Sequence, residues 1–108
     1  MKQLARPKVS VVIPAYRATA VLPRALASVA GQGLEPAQLE VIIAADDAAY
    51  DSYRKAAAIW PNSRVIRPAP RSASGPGATR NRGRAVARGR YLAFLDADDA
   101  WGPGFLAA

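Results

Sequence analysis

The chain has 108 residues, a length that suits one domain built around a single core. Apolar residues make up 51% of it, so the composition is that of a folded protein. It has no cysteine and no histidine, which excludes disulfides, thiolate metal sites and imidazole as a metal ligand or general base. No apolar run reaches the roughly 20 residues of a membrane-spanning helix, and the first residues are not of signal-peptide type. We therefore expect a cytoplasmic protein.

The charge is unevenly distributed along the chain. The net charge is +7, and the segment 64–90 contains eight arginines and no acidic residue. Six of the eight acidic residues are aspartates in two short clusters, at 46–51 and 96–99. Clustered arginines suit partners that carry phosphate, such as nucleotides, nucleic acid or anionic lipid headgroups. The alternative is that most of these arginines form a solvated face without a partner.

The first predicted elements are a strand and an amphipathic helix. The β-branched run 9–13, which ends before Pro14, is typical of a buried parallel strand. Thr19 suits the start of the helix that follows, and Gly31 and Gly33 suit its end. The apolar positions predicted to share the inward face of this helix are Val21, Leu22, Ala25, Leu26 and Val29.

Two further strands and a helix are predicted in the middle of the chain. The second strand spans 39–45 and leads directly into two aspartates. A helix from about 51 to 59 follows and is stopped by Pro61. The segment 64–67 is a short third strand.

The remaining predicted elements are a loop, a third helix and a fourth strand. A Pro/Ser/Gly loop spans 68–76, and 77–89 has a helical pattern despite the internal Gly83. The positions expected to pack inward from that helix are Ala78, Ala85 and Val86. The segment 91–95 is the fourth strand, and a fourth helix is expected to begin near Trp101.

This alternation of strands and helices predicts an α/β fold. Successive βαβ units with right-handed crossovers produce a mainly parallel sheet that helices cover on both faces. In such sheets ligands bind beyond the carboxyl ends of the strands. Polar groups follow three of the predicted strands, at 14–17, 46–47 and 96–99, so we expect them to meet at one rim.

The Asp96-Ala97-Asp98 spacing carries the most chemistry. Residues two apart at the end of a strand point the same way, so these two carboxylates can act together. Carboxylate oxygens suit Mg²⁺ or Mn²⁺, which accept phosphate oxygens as further ligands and neutralise a leaving diphosphate. The alternative is that Asp98 or Asp99 caps the helix expected near Trp101.

The other polar groups suit a nucleotide. Asp46 and Asp47 are placed to accept hydrogen bonds from a ribose hydroxyl or a base N–H. Tyr16 either stacks on a base or covers the end of the sheet. Arg80 and Arg82, near the start of the third helix, are within reach of a diphosphate, which the helix dipole also favours.

Two common nucleotide-binding motifs are absent from the sequence. The glycine-rich segment 75–80 lacks the Gly-Lys-Ser/Thr ending of a Walker A loop and does not follow a strand directly. The turn after the first strand contains no glycine, which excludes the dinucleotide-binding fingerprint.

The motifs resemble those of family 2 glycosyltransferases, which have the GT-A (Rossmann-like) fold. The resemblance lies in VSVVIPAYRATAVLPRALASVAGQ, in EVIIAADDAAYD and above all in GPGATRNRGRAVARGRYLAFLDADDAWGPGFL, which ends in a D-x-D motif. It covers residues 8–108, after an N-terminal extension at 1–7. The sequence departs from the family pattern at Ala48-Ala49, where Gly-Ser is usual, and at Arg17, where Asn is common.

The resemblance implies an inverting sugar transfer from a nucleoside diphosphate, of the UDP or GDP type, to an acceptor hydroxyl in cell wall or polysaccharide biosynthesis. It places Arg80 near the base or diphosphate, Asp96 near the ribose, and Mn²⁺ or Mg²⁺ on Asp98. The residues that it places around the nucleoside are Pro14, Ala15, Tyr16 and Asp47.

In this family the acceptor site and general base belong to a second half, so 8–108 is interpreted as an incomplete GT-A domain that is inactive alone. Association of the parent enzyme with the inner membrane face and self-association through exposed apolar surface are further expectations. The alternative function is a non-catalytic module that binds nucleotide or nucleic acid. A nucleotidyltransferase is disfavoured, since the turn after the first strand is not a basic, glycine-rich phosphate loop.

Overall fold

A computed structural model describes residues 6–58, 60, 62–67 and 75–107. Strands and helices alternate along the chain, as the sequence predicts. They are β1 (Val9–Ala15), α1 (Leu22–Ala30), β2 (Leu39–Ala45), α2 (Tyr50–Ala57), β3 (Ser63–Ile66), α3 (Pro76–Val86) and β4 (Tyr91–Phe94), with short 3₁₀ turns at Pro36–Gln38 and Phe105–Ala107. No helix within these ranges has the length and apolar character needed to cross a membrane.

The four strands form one parallel sheet in the order β3-β2-β1-β4. This confirms the predicted α/β class. Strand β1 runs two residues further than predicted, through Pro14 to Ala15, and pairs with β2 over its whole length. Its pairing with β4 ends opposite Val12, so Pro14 has a neighbouring strand on one side only, where a missing N–H is tolerated.

The core lies between the central strands and the helices. Strand β2 is buried at every position, and the α1 side chains predicted to face inward are buried at Leu22, Ala25, Leu26 and Val29. The prediction was wrong for Val21, which is 40% exposed. It was also wrong for Thr19: the helix begins two residues later, at Leu22, with Val21 as the N-cap, and no side chain caps it.

Helix α3 packs on the sheet through small residues. Thr79 and Gly83 are buried, and a Cβ added at Gly83 would overlap Val12 Cγ1 on β1. The prediction that Ala85 packs inward was wrong, because Ala85 lies on the exposed side of the helix. The helix was predicted to end at Gly89 but ends at Val86. Ala87 is extended, and the chain leads from there to β4.

Buried Glu40 joins β1, β2 and the α3–β4 connection at the end of the sheet where the strands begin. Its carboxylate accepts hydrogen bonds from Ser10 Oγ (2.7 Å), from the backbone N–H of Arg88 (2.9 Å) and from Arg88 Nε (3.1 Å). Burial raises the pKa of Glu40, but these hydrogen bonds outweigh it and hold the pKa below its ordinary value of 4.5. Gly89 donates to Ser10 Oγ at 2.7 Å, where a Cβ would lie 2.5 Å from the backbone nitrogen of Ser10.

Helices cover both faces of the sheet, as predicted. Helix α3 lies on the face that carries Val12, and α1 and α2 pack on the face that carries Val11 and Ile13. The edge strand β4 is less covered, and its side chains Tyr91, Leu92 and Phe94 are 60%, 38% and 43% exposed. One further prediction was wrong. No α-helix begins near Trp101 in the described part of the chain, where a turn precedes the 3₁₀ segment Phe105–Ala107. The predicted positions Ile59, Pro61 and 68–74 lie outside the described residues.

Candidate functional site

An open cleft of about 810 Å³ lies where β1, β2 and β4 end. It brings together seven of the eight predicted site residues, and Asp47 is not among those that line it. The predicted residues in the cleft are Pro14, Ala15, Tyr16, Asp46, Arg80, Asp96 and Asp98. The shared position follows from the parallel sheet, whose strands present their carboxyl ends at one edge.

The turn after β1 forms one wall of the cleft. Tyr16 is 59% exposed, and the guanidinium of Arg17 lies 5.2 Å from the centre of its ring. Arg17 has a φ of 50°, in the left-handed region that Asn adopts more readily than Arg. The departure from the usual Asn at this position therefore adds strain to the turn.

Asp47 holds this turn in place. Its Oδ2 accepts hydrogen bonds from the backbone N–H of Arg17 (2.6 Å) and from the hydroxyl of Tyr53 (3.0 Å), and Oδ1 accepts the N–H of Ala49 (3.2 Å). These contacts occupy much of the carboxylate's acceptor capacity. A direct contact of Asp47 with a nucleoside stays a prediction.

Tyr53, which the sequence analysis did not single out, completes the support of the turn. Its side chain is fully buried, and its hydroxyl accepts the N–H of Ala18 (3.1 Å) while donating to Asp47. Burial raises the pKa of the Tyr53 phenol, and the neighbouring carboxylate raises it further. The hydroxyl therefore stays protonated as a donor. Helical spacing in α2 is the only sequence signal that points to it.

Asp46 anchors the start of α3. Its Oδ2 accepts the N–H of Gly75 at 2.9 Å, and Arg82 Nη2 lies 3.9 Å from Oδ1. Arg82 also donates to the carbonyl of Ala45 at 2.7 Å, and it does not line the cleft. Arg82 thus ties α3 to the end of β2, and of the two arginines predicted to reach a diphosphate only Arg80 lies in the cleft.

The acidic cluster after β4 has the donor set of a divalent metal site. One carboxylate oxygen from each of Asp96, Asp98 and Asp99 lies within 4.8 Å of the others, and all three residues are exposed. Hard oxygen ligands of this kind fit Mg²⁺ or Mn²⁺. Arg80 Nη2 contacts Asp96 Oδ1 at 2.9 Å. The alternative that Asp98 or Asp99 caps a helix near Trp101 was wrong, because no helix begins there within the described residues.

Several residues of the cleft were not predicted as site residues. They are Arg17, Ala18, Val21, Gly75, Thr79 and Ala97. Val21 was expected in the core, and its place in the cleft follows from the late start of α1. Gly75 is the N-cap residue of α3 and Thr79 lies in its first turn, where Thr79 Oγ1 donates to the carbonyl of Gly75 at 2.7 Å. Their proximity to Arg80 is the only signal in the sequence.

The chain is similar to a protein of succinoglycan biosynthesis and to a protein solved in complex with a nucleotide sugar. It is 37% identical over 97 residues to the succinoglycan biosynthesis protein ExoO of Rhizobium meliloti, covering 90% of this chain and 27% of ExoO. It superposes with a TM-score of 0.80 and 25% identity on S. aureus TarS 1–349 in complex with UDP-GlcNAc, covering 93% of this chain and 29% of that structure.

A third likeness concerns the fold alone. The mannosyltransferase PcManGT of Pyrobaculum calidifontis, in complex with GDP-Man and Mn²⁺, gives a TM-score of 0.77 at 23% identity, over 93% of this chain and 30% of its own. These neighbours confirm the predicted GT-A fold. The chain spans between a quarter and a third of the length of these three proteins.

The family is settled by the extent of the match. The family model described as glycosyl transferase family 2 matches residues 10–108, from the second residue of β1 to the last residue of the chain. The match includes the polar segments 14–17 and 46–47, which follow β1 and β2, and the acidic cluster Asp96, Asp98 and Asp99 after β4. The chain therefore belongs to glycosyl transferase family 2.

Proposed function

We propose that this chain binds the donor of a glycosyltransferase that transfers a sugar from a nucleoside diphosphate to an acceptor hydroxyl with inversion. One observation carries the proposal. A single cleft combines an exposed aromatic ring, an arginine at the start of a helix and an acidic cluster, which are groups suited to a base, a diphosphate and a metal. Family membership and the UDP-GlcNAc complex of the related TarS support it.

The nucleoside is proposed to lie against the turn after β1. The exposed ring of Tyr16 offers a stacking surface, while Pro14 and Ala15 form the floor where β1 ends. Asp46 lines the same wall, and Asp47 holds the turn through the N–H of Arg17. UDP and GDP are the two candidate nucleotides.

The metal is proposed to be Mn²⁺ or Mg²⁺ held by Asp98, with Asp96 and Asp99 close enough to contribute or to bind its waters. A bound divalent ion would neutralise charge on the departing diphosphate as a Lewis acid. Arg80, which lines the same cleft, supplies a positive charge to the diphosphate, and α3 adds the positive end of its dipole. These groups together stabilise the leaving group.

The acceptor side of the reaction is proposed to come from chain beyond these residues. Inversion needs a general base opposite the leaving diphosphate. The acidic residues that line the cleft are Asp46, which anchors α3, and the pair Asp96 and Asp98, which we assign to ribose and metal. We infer that the complete enzyme works on a saccharide acceptor, in keeping with the role of ExoO in succinoglycan biosynthesis. Association of the complete enzyme with the inner membrane face is a further proposal.

Calorimetric titration of UDP and of GDP, with Mn²⁺ and then with EDTA, tests the proposal. We expect saturable binding of one nucleotide that needs the metal and that Asp98→Ala abolishes. Asp51→Ala is the matched control, because Asp51 is an exposed aspartate on α2 outside the cleft, and it should leave binding unchanged. Failure of both nucleotides to bind a folded sample would contradict the proposed donor site.

The alternative of nucleic-acid binding is not favoured by the arginines themselves. Arg80 and Arg88 are paired with Asp96 and Glu40, and Arg82 donates to the backbone of β2. The arginine-rich segment is thus partly committed to contacts within the chain. Nucleic-acid binding would depend steeply on salt and would be indifferent to Asp98→Ala, so the same variant separates the two functions.

A further inference from the structure

We propose that Arg80 opposes metal binding in the free protein and changes partner when a diphosphate arrives, so that nucleotide and metal bind cooperatively. The inference rests on the proposed donor site. Its basis is that Arg80 Nη2 contacts Asp96 Oδ1 at 2.9 Å, while Asp96 belongs to the trio of carboxylates within 4.8 Å of one another. One of the three candidate ligands is therefore already neutralised by a cation.

The ion pair lowers metal affinity in two ways. Its contact occupies Oδ1 of Asp96 and leaves that carboxylate with less acceptor capacity for the metal or its waters. It also holds a positive charge close to the place where a second cation would enter, and like charges at this range repel. The cost is modest, because the side chains of Arg80 and Asp96 are 37% and 49% exposed and water screens the charges.

A bound diphosphate relieves the effect of the Arg80–Asp96 ion pair on metal binding. Arg80 lines the cleft and belongs to α3, and the same cleft is lined by Thr79 of this helix and by its N-cap residue Gly75. A diphosphate bound there offers Arg80 anionic oxygens that match its planar donors. Asp96 is then free of its cation, so its full negative charge attracts the metal while its oxygens face the ribose and the metal's waters, and the metal in turn screens the diphosphate. Since coupling between two ligands is reciprocal, each raises the affinity for the other.

The test is calorimetric titration of Mn²⁺ into the protein alone and into the protein saturated with UDP or GDP, whichever binds. Arg80→Gln should bind Mn²⁺ alone roughly three- to ten-fold more tightly than the wild type, since it removes both the contact and the repulsion. Arg80→Lys keeps the charge and should stay close to the wild type. Arg84→Gln, an exposed arginine on the same helix, is the matched control and should change nothing.

The titrations of Mn²⁺ into nucleotide-saturated protein complete the test. Nucleotide should raise Mn²⁺ affinity in the wild type and raise it less in Arg80→Gln. Unchanged or weaker Mn²⁺ binding by folded Arg80→Gln would overturn the inference, because Arg80 would then organise the metal site rather than oppose it. No Mn²⁺ binding by any variant would overturn the proposed metal site as well, so the two failures are distinct.

Discussion

Replacing Gly83 by alanine tests how closely α3 lies on the sheet. Gly83 is a buried residue of α3, and a Cβ there would overlap Val12 Cγ1 and lie 3.3 Å from Val12 Cγ2. Val12 is fully buried in β1, and a β-branched side chain in a strand has few rotamers in which to move aside. Either the helix or the strand must therefore shift.

Two opposing contributions set the size of the effect. Alanine is better than glycine inside a helix by about 1 kcal/mol. Overpacking a close contact costs about 1–3 kcal/mol, and the rigid neighbour here places the substitution towards the upper end. We expect Gly83→Ala to lower the free energy of unfolding by roughly 1–2 kcal/mol, a fall in Tm of about 5–10 °C for a domain of this size. Because α3 carries Arg80, nucleotide binding should weaken too.

Thermal and urea unfolding, followed by circular dichroism, measure the changes in Tm and in the free energy of unfolding, with Gly77→Ala as the control. Gly77 lies in the first turn of the same helix, and an added Cβ there meets no atom within 4 Å, so this substitution should stabilise the protein. Adding Val12→Ala to Gly83→Ala should show favourable coupling in a double-mutant cycle, since it removes the overlapping methyl group. A rise in Tm for Gly83→Ala equal to that for Gly77→Ala would refute the reasoning.

Three further outcomes are expected. Glu40→Gln should lower stability at neutral pH by about 1–3 kcal/mol. The stability that Glu40 contributes is fully present above its unfolded pKa of 4.5 and is lost as pH falls through its lower folded pKa. The free energy of unfolding of Glu40→Gln should therefore change less with pH than that of the wild type in this range. Arg17→Asn should keep or raise Tm, whereas Arg17→Val should lose about 1–2 kcal/mol at its positive φ; equal Tm values would contradict the strain. Phe94→Lys on the open edge of β4 should reduce concentration-dependent association in light scattering with little change in Tm, and a wild type that stays monomeric at high concentration would contradict this.

Local patterns in the sequence were enough to predict the order of the elements. The segment 39–45, which is apolar except for Glu40, is bounded by polar residues and forms β2 with the predicted limits, because a strand buried along its whole length has a largely apolar sequence. The four α1 side chains that are buried follow from helical periodicity in the same way. In both cases the determining signal lies within the element itself.

Contacts between distant parts of the chain were not predictable in this way. Gly83 weakens a helical pattern locally, yet it is the residue that allows α3 to lie against Val12. Glu40 lies in an apolar run and has no partner nearby in sequence, since Arg88 is 48 residues away. The start of α1 depends on a turn that is held by Asp47, 30 residues from Arg17, and by Tyr53, 35 residues from Ala18.

The two acidic clusters show most clearly what the fold adds to the sequence. Both follow an apolar strand directly, and the sequence predicts a metal ligand in the second cluster and nucleoside contacts for Asp46 and Asp47 in the first. In the structure the pair after β2 is occupied by donors of the chain: Asp47 accepts three hydrogen bonds and Asp46 accepts the N–H of Gly75. The cluster after β4 differs, because within the described residues its only side-chain donor is Arg80. Carboxylates that keep their acceptor capacity and repel one another are poised for a cation, so the cluster after β4 is the one that suits a metal.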